Sequence, residues 1–263
     1  MSTHLSLIYA EHPLVTGPRP LLAEVYLPDG PGPFPLVTWM HSGGFRTGTR
    51  LHRNHTRLAA AFNEAGYAAA FIDYRLARPP AVLRPASLDA LDALIADARA
   101  AGEEMPDSFY GARPLAVVED CCAFLRYAVA HRDLWRLSGR LIVAGSSAGA
   151  ISALNTLYLP GVLGLEAPPI ATVLAFSGGF AYPGHLRATG ARILALHNPA
   201  DRRVPISSIR RLSDLCPDPI RLIESDRNAH GDPQLTPAEP LPRAVARCLA
   251  FDRADDPLAV DLS

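Results

Sequence analysis

In the stretch "VAGSSAGAIS" (143–152) two serines stand between two glycines. Gly145-Ser146-Ser147-Ala148-Gly149 fits the pattern G-x-S-x-G, whose chemistry begins as a steric matter. The chain must turn sharply from a strand into a helix, small flanking residues let backbones approach, and the middle side chain is thrust outward. Ser147 is then the candidate nucleophile, and Ser146 is expected to point away as a turn residue. The apolar run "RLIVAG" leads in and the helix-compatible "AISALNTLYL" leads out, which is the context the pattern needs.

A serine hydroxyl is a weak nucleophile at neutral pH and needs a base that is itself oriented by an acid. Behind a strand–turn–helix serine the partners follow in the order acid, then histidine. Three histidines follow Ser147. His197 closes a predicted strand and reads as structural, and His185 lies in a short loop after a different strand. His230, in the polar loop "SDRNAHGD" past the last predicted strand, is the favoured base. Asp201, four residues beyond His197, is the favoured acid. Asp226 shares a loop with His230 and is the alternative, while Asp214 falls on a predicted helix. A developing oxyanion needs fixed N–H donors. The glycine-rich loop His41-Ser42-Gly43-Gly44-Phe45 could supply them, together with the N–H of Ala148, next after the nucleophile.

These residues must be carried by elements, and short apolar runs bounded by Gly and Pro alternate here with helical patterns. That is the signature of βαβ units and a mostly parallel sheet. Strands are expected at 5–10, 21–28, 35–41, 67–74, 140–145, 170–176, 191–197 and 219–225, the first two as a hairpin-like antiparallel start. "RLIVAG", apolar without alternation, reads as a central strand buried on both faces. Helices are expected at 58–66, after a Ser87 cap, from Pro114 onward, after Ser147, and in the closing "PLPRAVARCLAFD". Leu88, Leu91, Ile95 and Ala98 should form the inward face of the second of these. No internal repeat or linker is visible, so a single domain over 1–263 is expected.

The 263 residues are 49% hydrophobic and 19% charged, with 25 Lys+Arg against 26 Asp+Glu, which implies a buried core and no basic face for nucleic acid. No secretory signal and no run of about 18 uncharged apolar residues is seen, so no membrane span is expected. The four cysteines lack zinc spacing and read as reduced thiols of a cytoplasmic protein.

Taken together, the motifs resemble the α/β-hydrolase superfamily, and within it the esterase/lipase branch of hormone-sensitive lipase, bacterial carboxylesterases and feruloyl-esterase-like proteins. The resemblance runs from about residue 20 to 250. "AEVYLPDGPGPFPLVTWMHSGGF" is similar to the strands leading to an H-G-G-G oxyanion loop, and "AGYAAAFIDYRLA" to the next strand with D-Y-R-L-A. "GSSAG" resembles the elbow, "HNPADRRVP" the H-G-x-x-D-x-x-V-P acid segment, and "NAHG" the histidine segment. The resemblance implies an eight-stranded sheet, a triad of Ser147, Asp201 and His230, and oxyanion donors at Gly43, Gly44 and Ala148. It implies no cofactor and no metal, and a small-molecule ester as substrate; amide cleavage by the same triad, as in arylformamidases or small peptidases, is the alternative. A homodimer is an open expectation.

Three departures stand out. Ser42 replaces the first glycine of H-G-G-G, and Asn198 replaces the glycine of the acid segment, where a left-handed turn is expected. The stretch 76–113 is long and reads as an inserted helical, cap-like segment. Outside the motifs, His52 and His55 have the spacing of a metal pair without a third ligand. Arg75 reads as a structural, hydrogen-bonded arginine with substrate binding as the alternative, Asp120 as a partner for a neighbouring loop, and Phe45, Phe109, Tyr110, Phe180 and Tyr182 as pocket or core.

Overall fold

The computed structural model describes residues 3–262. Two long strands, β1 (Thr3–Leu14) and β2 (Gly17–Leu27), open the chain and pair antiparallel along their whole length around the turn before Gly17. They extend well past the predicted runs, because pairing with each other recruits polar residues that carry no apolar signal. Then come β3 (Phe34–Met40), α1 (His55–Glu64), β4 (Ala68–Ile72), α2 (Pro85–Ala100), α3 (Ala112–Ala130) and β5 (Leu137–Ser146). The chain continues with α4 (Ala148–Tyr158), β6 (Thr172–Phe176), β7 (Arg192–His197), α5 (Ile206–Leu215), β8 (Ile220–Glu224) and α6 (Leu241–Arg253).

The eight strands form one sheet in the order β1-β2-β4-β3-β5-β6-β7-β8. β2 meets β4 antiparallel, and every later pairing is parallel. Side-chain alternation divides the core in two. Leu36, Met40 and Val143 face the side covered by α3 and α4, whereas Val37, Trp39 and Ile142 face α1 and α6. Since β3 and β5–β8 run the same way, the loops after them gather along one carboxyl edge, where ligands of such sheets bind.

The 76–113 segment contains α2 and a single 3-10 turn at Asp107–Phe109. Ser87 is not its cap. Arg84 holds that position with Pro85 starting the helix, and Ser87 lies inside, buried, with an unpartnered hydroxyl. The inward face is correspondingly rotated: Ser87, Leu94 and Ala98 are buried and Leu88 is exposed. The segment is fastened to α5 near the carboxyl edge. Arg211 binds both the Ala101 carbonyl and the Glu103 carboxylate, and Ser207 and Ser208 bind Glu104 and Glu103 at 2.7 and 3.0 Å.

Candidate active site

The elbow is built by close packing. Ser147 has φ +56° and ψ −118°, a conformation that non-glycine residues seldom adopt, and it serves as N-cap of α4. A Cβ at Gly145 would lie 2.4 Å from the Gly149 carbonyl, and one at Gly149 only 2.1 Å from the Met40 carbonyl oxygen. Neither position admits a side chain, so the two glycines press α4 against the ends of β3 and β5. The Ser147 N–H donates to the Phe176 carbonyl at 2.8 Å, which ties the turn to β6.

Asp201 and His230 meet across 29 residues, with His230 Nδ1 2.6 Å from Asp201 Oδ2. The other carboxylate oxygen of Asp201 accepts the N–H groups of Arg203 and Val204 at 2.8 and 3.2 Å. Burial alone would raise the Asp201 carboxyl, but the His230 bond and these two N–H groups outweigh it and hold it below the usual carboxylate range. The group thus stays ionised at neutral pH, as a partner for an imidazolium must. Asp226 is exposed and makes no hydrogen bond to His230; its carbonyl accepts from Asn198. His197 is fully buried, with Nε2 2.9 Å from the Val204 carbonyl, inside the turn that carries Asp201. His185 sits in a 3-10 turn at Pro183–His185.

Two serines that sequence reasoning passed over or misread fasten the His230 loop. Ser146 does not simply point away: its hydroxyl donates to the Gly231 carbonyl at 2.5 Å. The Gly231 N–H in turn donates to Ser177 Oγ at 3.0 Å, and Ser177 is itself held at φ +54° just past β6. Gly231 at φ +80° leaves room for this clasp, since a Cβ there would lie 2.3 Å from Ser146 Oγ. The doubled serine is therefore two parts: one side chain for the elbow, the other for the histidine loop. Among the described residues no hydrogen bond within 3.5 Å joins the Ser147 hydroxyl to the His230 ring. Such links are often long without substrate.

Asn198 is not left-handed, contrary to the expectation for its position. Its side chain makes the turn instead: Oδ1 accepts the Ala200 N–H at 2.8 Å, while Nδ2 reaches over to the Asn228 carbonyl at 2.7 Å. A glycine could do the first part by its backbone alone; the cross-loop bond needs the amide.

The loop after β3 is equally constrained. Gly43, Gly44 and Phe45 all have positive φ (124°, 60° and 62°), and a Cβ at Gly43 would meet the Thr47 carbonyl oxygen at 2.0 Å. Among the described residues the N–H groups of Gly43 and Gly44 donate to no protein acceptor, and that of Ala148, first in α4, has no intrahelical one. His41 orders this loop from below. Its ring stacks on Tyr74 at 4.0 Å, its Nδ1 lies 2.7 Å from the Ser42 carbonyl, and the Tyr74 hydroxyl donates to the His41 carbonyl at 2.7 Å.

Arg75 and Asp120 lie apart from these loops in a buried cluster. The Arg75 guanidinium bonds Glu119 at 2.6 Å and Asp120 at 2.8 Å, and the Arg75 N–H bonds Asp120 as well. Of the five aromatic candidates, Phe45, Tyr110, Phe180 and Tyr182 are core. Phe109 remains partly exposed, edge-on to Phe45 and 3.9 Å from where a Gly44 side chain would begin. His52 and His55 have ring centroids 5.3 Å apart, but His55 spends Nδ1 on the Arg50 carbonyl. Among the described residues no group of three or more His, Cys, Asp or Glu side chains is arranged to hold a metal ion.

No protein-family model matches this chain, and no curated protein does. Solved structures do. A Thermogutta terrifontis thermophilic esterase in native form aligns at TM-score 0.63 and 17% identity, over 87% of this chain and 83% of that one. Its butyrate-bound form gives 0.63 and 17% over 87% and 84%, and esterase 2 phosphorylated by paraoxon gives 0.62 and 16% over the same shares. At such identities the likeness speaks for the fold, and this chain has the α/β-hydrolase fold: an eight-stranded, mostly parallel sheet flanked by helices.

Proposed function

We propose that this protein is a serine hydrolase that cleaves small carboxylic esters through an acyl-enzyme. Ser147 Oγ attacks the ester carbonyl carbon while the His230 ring takes its proton. The bond from that carbon to the alcohol oxygen breaks, and His230 returns the proton to the departing oxygen. Water, deprotonated by the same ring, attacks the acyl carbon and frees Ser147 and a carboxylic acid. Asp201 fixes the ring with Nδ1 protonated and stabilises the imidazolium. The N–H groups of Gly43, Gly44 and Ala148 receive the oxyanion, each worth about 2.7–4 kcal/mol of barrier.

The observation that carries this reading is the 2.6 Å Asp201–His230 bond on a loop latched to Ser146, immediately beside a serine at φ +56°. The paraoxon-phosphorylated and butyrate-bound esterase structures on the same fold support it. In the same reading the chain is one domain, 76–113 is its cap, and the protein works in the cytoplasm, with Cys121, Cys122, Cys216 and Cys248 as free thiols. Intact-mass detection of a fluorophosphonate adduct, mapped to Ser147 and absent from Ser147→Ala, tests the nucleophile. Hydrolysis rates for p-nitrophenyl acetate, butyrate and octanoate beside N-formylkynurenine then separate ester from amide; a preference for the latter would overturn the ester assignment while keeping the triad.

A further inference from the structure

A cavity of about 300 Å³, at the low end of the range for small-molecule sites, is bordered by His230. Trp39 and Leu58 give it apolar surface, and His41, His52, His55 and His230 line it as well. By the mechanism above, on which this inference rests, His230 delivers its proton to the departing alcohol oxygen. The alcohol half of the ester must therefore lie against this ring, and the ring borders this cavity.

The hydrogen bonds fix what the walls offer. His41 Nδ1 lies 2.7 Å from the Ser42 carbonyl and His55 Nδ1 2.7 Å from the Arg50 carbonyl. A carbonyl only accepts, so Nδ1 carries the proton in both rings. Burial keeps both rings neutral, which leaves each Nε2 a bare acceptor. Neither Nε2 is among the buried unpartnered atoms, unlike His197 Nδ1, so both open onto the cavity. His52 is reversed: its Nδ1 accepts the Asn54 N–H at 3.3 Å, so its proton sits on Nε2 and donates. The wall thus presents two acceptors and a donor beside apolar surface. Arg57 and Asp232 also line the cavity and offset one another in charge, which suits a neutral ligand. Hydroxyl groups both donate and accept, and the CH faces between them suit Trp39.

We propose that this cavity binds the leaving alcohol of the substrate, and that this alcohol is a small polyol of glycerol or monosaccharide size, its hydroxyls read by His41, His55 and His52. The test holds the acyl group constant and varies the alcohol: glycerol monobutyrate against butyl butyrate, with fluorophosphonate labelling to report whether the nucleophile is competent in each protein. The wild type is expected to favour the glycerol ester by at least about tenfold in kcat/KM, the scale of one or two hydroxyl hydrogen bonds. His55→Phe, which keeps the ring stack on Phe71 and removes the acceptor, should bring the ratio close to one. His52→Leu, at an exposed position, tests the donor should His55→Phe fail to fold. A wild-type ratio at or below one overturns the proposal, as does a ratio untouched by these changes in proteins that still label. Failure of the wild type to label at all would instead sink the hydrolase reading.

Discussion

Two histidine–aspartate pairs of nearly equal geometry lie in this molecule. His230 Nδ1 is 2.6 Å from Asp201, and His12 Nδ1 is 2.5 Å from Asp120. Exposure does not separate them, since the histidines are 17% and 20% exposed. What separates them is how the remaining valence is used. Asp120 also accepts the N–H and Nε of Arg75, whose guanidinium is taken up by Glu119 and the carbonyls of Val82 and Ala116. That cluster joins β1, the end of β4 and α3. Around Asp201 the acceptors are also filled, but the His230 ring borders a cavity. The likeness of the two pairs thus ends at the carboxylate: one is enclosed by an arginine, the other borders a cavity.

The contrast can be broken at five points, from the largest effect to the smallest. Ser147→Ala should lower kcat about 10⁶-fold, some 8 kcal/mol of barrier, in steady-state assays while the urea midpoint stays close to that of the parent. Asp201→Asn should cost about 10⁴-fold in kcat by letting the ring adopt the wrong tautomer, with less change in KM. Asp120→Ala should do the reverse. It removes one of the two carboxylates that hold the buried Arg75 guanidinium and should lower unfolding free energy by about 3 kcal/mol, read by denaturant titration, while folded molecules keep their kcat.

His55 supplies a pH-dependent case. Burial lowers its pKa to about 4, partly opposed by its bond to the Arg50 carbonyl. Unfolded, the ring titrates near its ordinary value, so the unfolded chain takes up the proton first as pH falls. The stability from burying neutral His55 is complete above about pH 6.5 and is lost progressively toward pH 4, by about 3 kcal/mol in all. Urea midpoints at pH 7 and 4.5 should differ less in His55→Phe than in the parent. Smallest is His12→Gln, which should cost about 1–2 kcal/mol through a weakened bond to a charged partner and leave kcat alone. A loss of turnover there would mean that the two pairs are coupled.

Much of the fold is written locally. Short apolar runs bounded by Gly and Pro marked eight strands, and all eight form within a few residues of those runs. The elbow is legible because its constraint is steric and confined to five residues: Gly145 and Gly149 admit no Cβ, and Ser147 has a positive φ. Asp201 and His230 stood out by their order along the chain, and those two side chains are hydrogen-bonded. The helix at 85–100 was misread in its cap and its face because Pro85 and the packing of Ser87 and Leu94, not the leucine spacing, set its rotation. The latch from Ser146 to Gly231, the Ser177 clasp and the Asn198 cross-loop bond left no trace in any window of the sequence. Each spans 30 to 85 residues and depends on which loops the sheet order makes neighbours.

By itself, then, the sequence determined the elements, the parallel sheet and the serine at its central turn, since steric and hydrophobic rules act over a few residues. Only the tertiary structure decided which carboxylate His230 would find and which nitrogen of each buried imidazole would carry the proton. It also decided that one histidine–aspartate pair would be sealed by an arginine and the other left open. Hydrogen-bond partnership is a property of distance in space, and the chain fixes that only once its strands have been ordered.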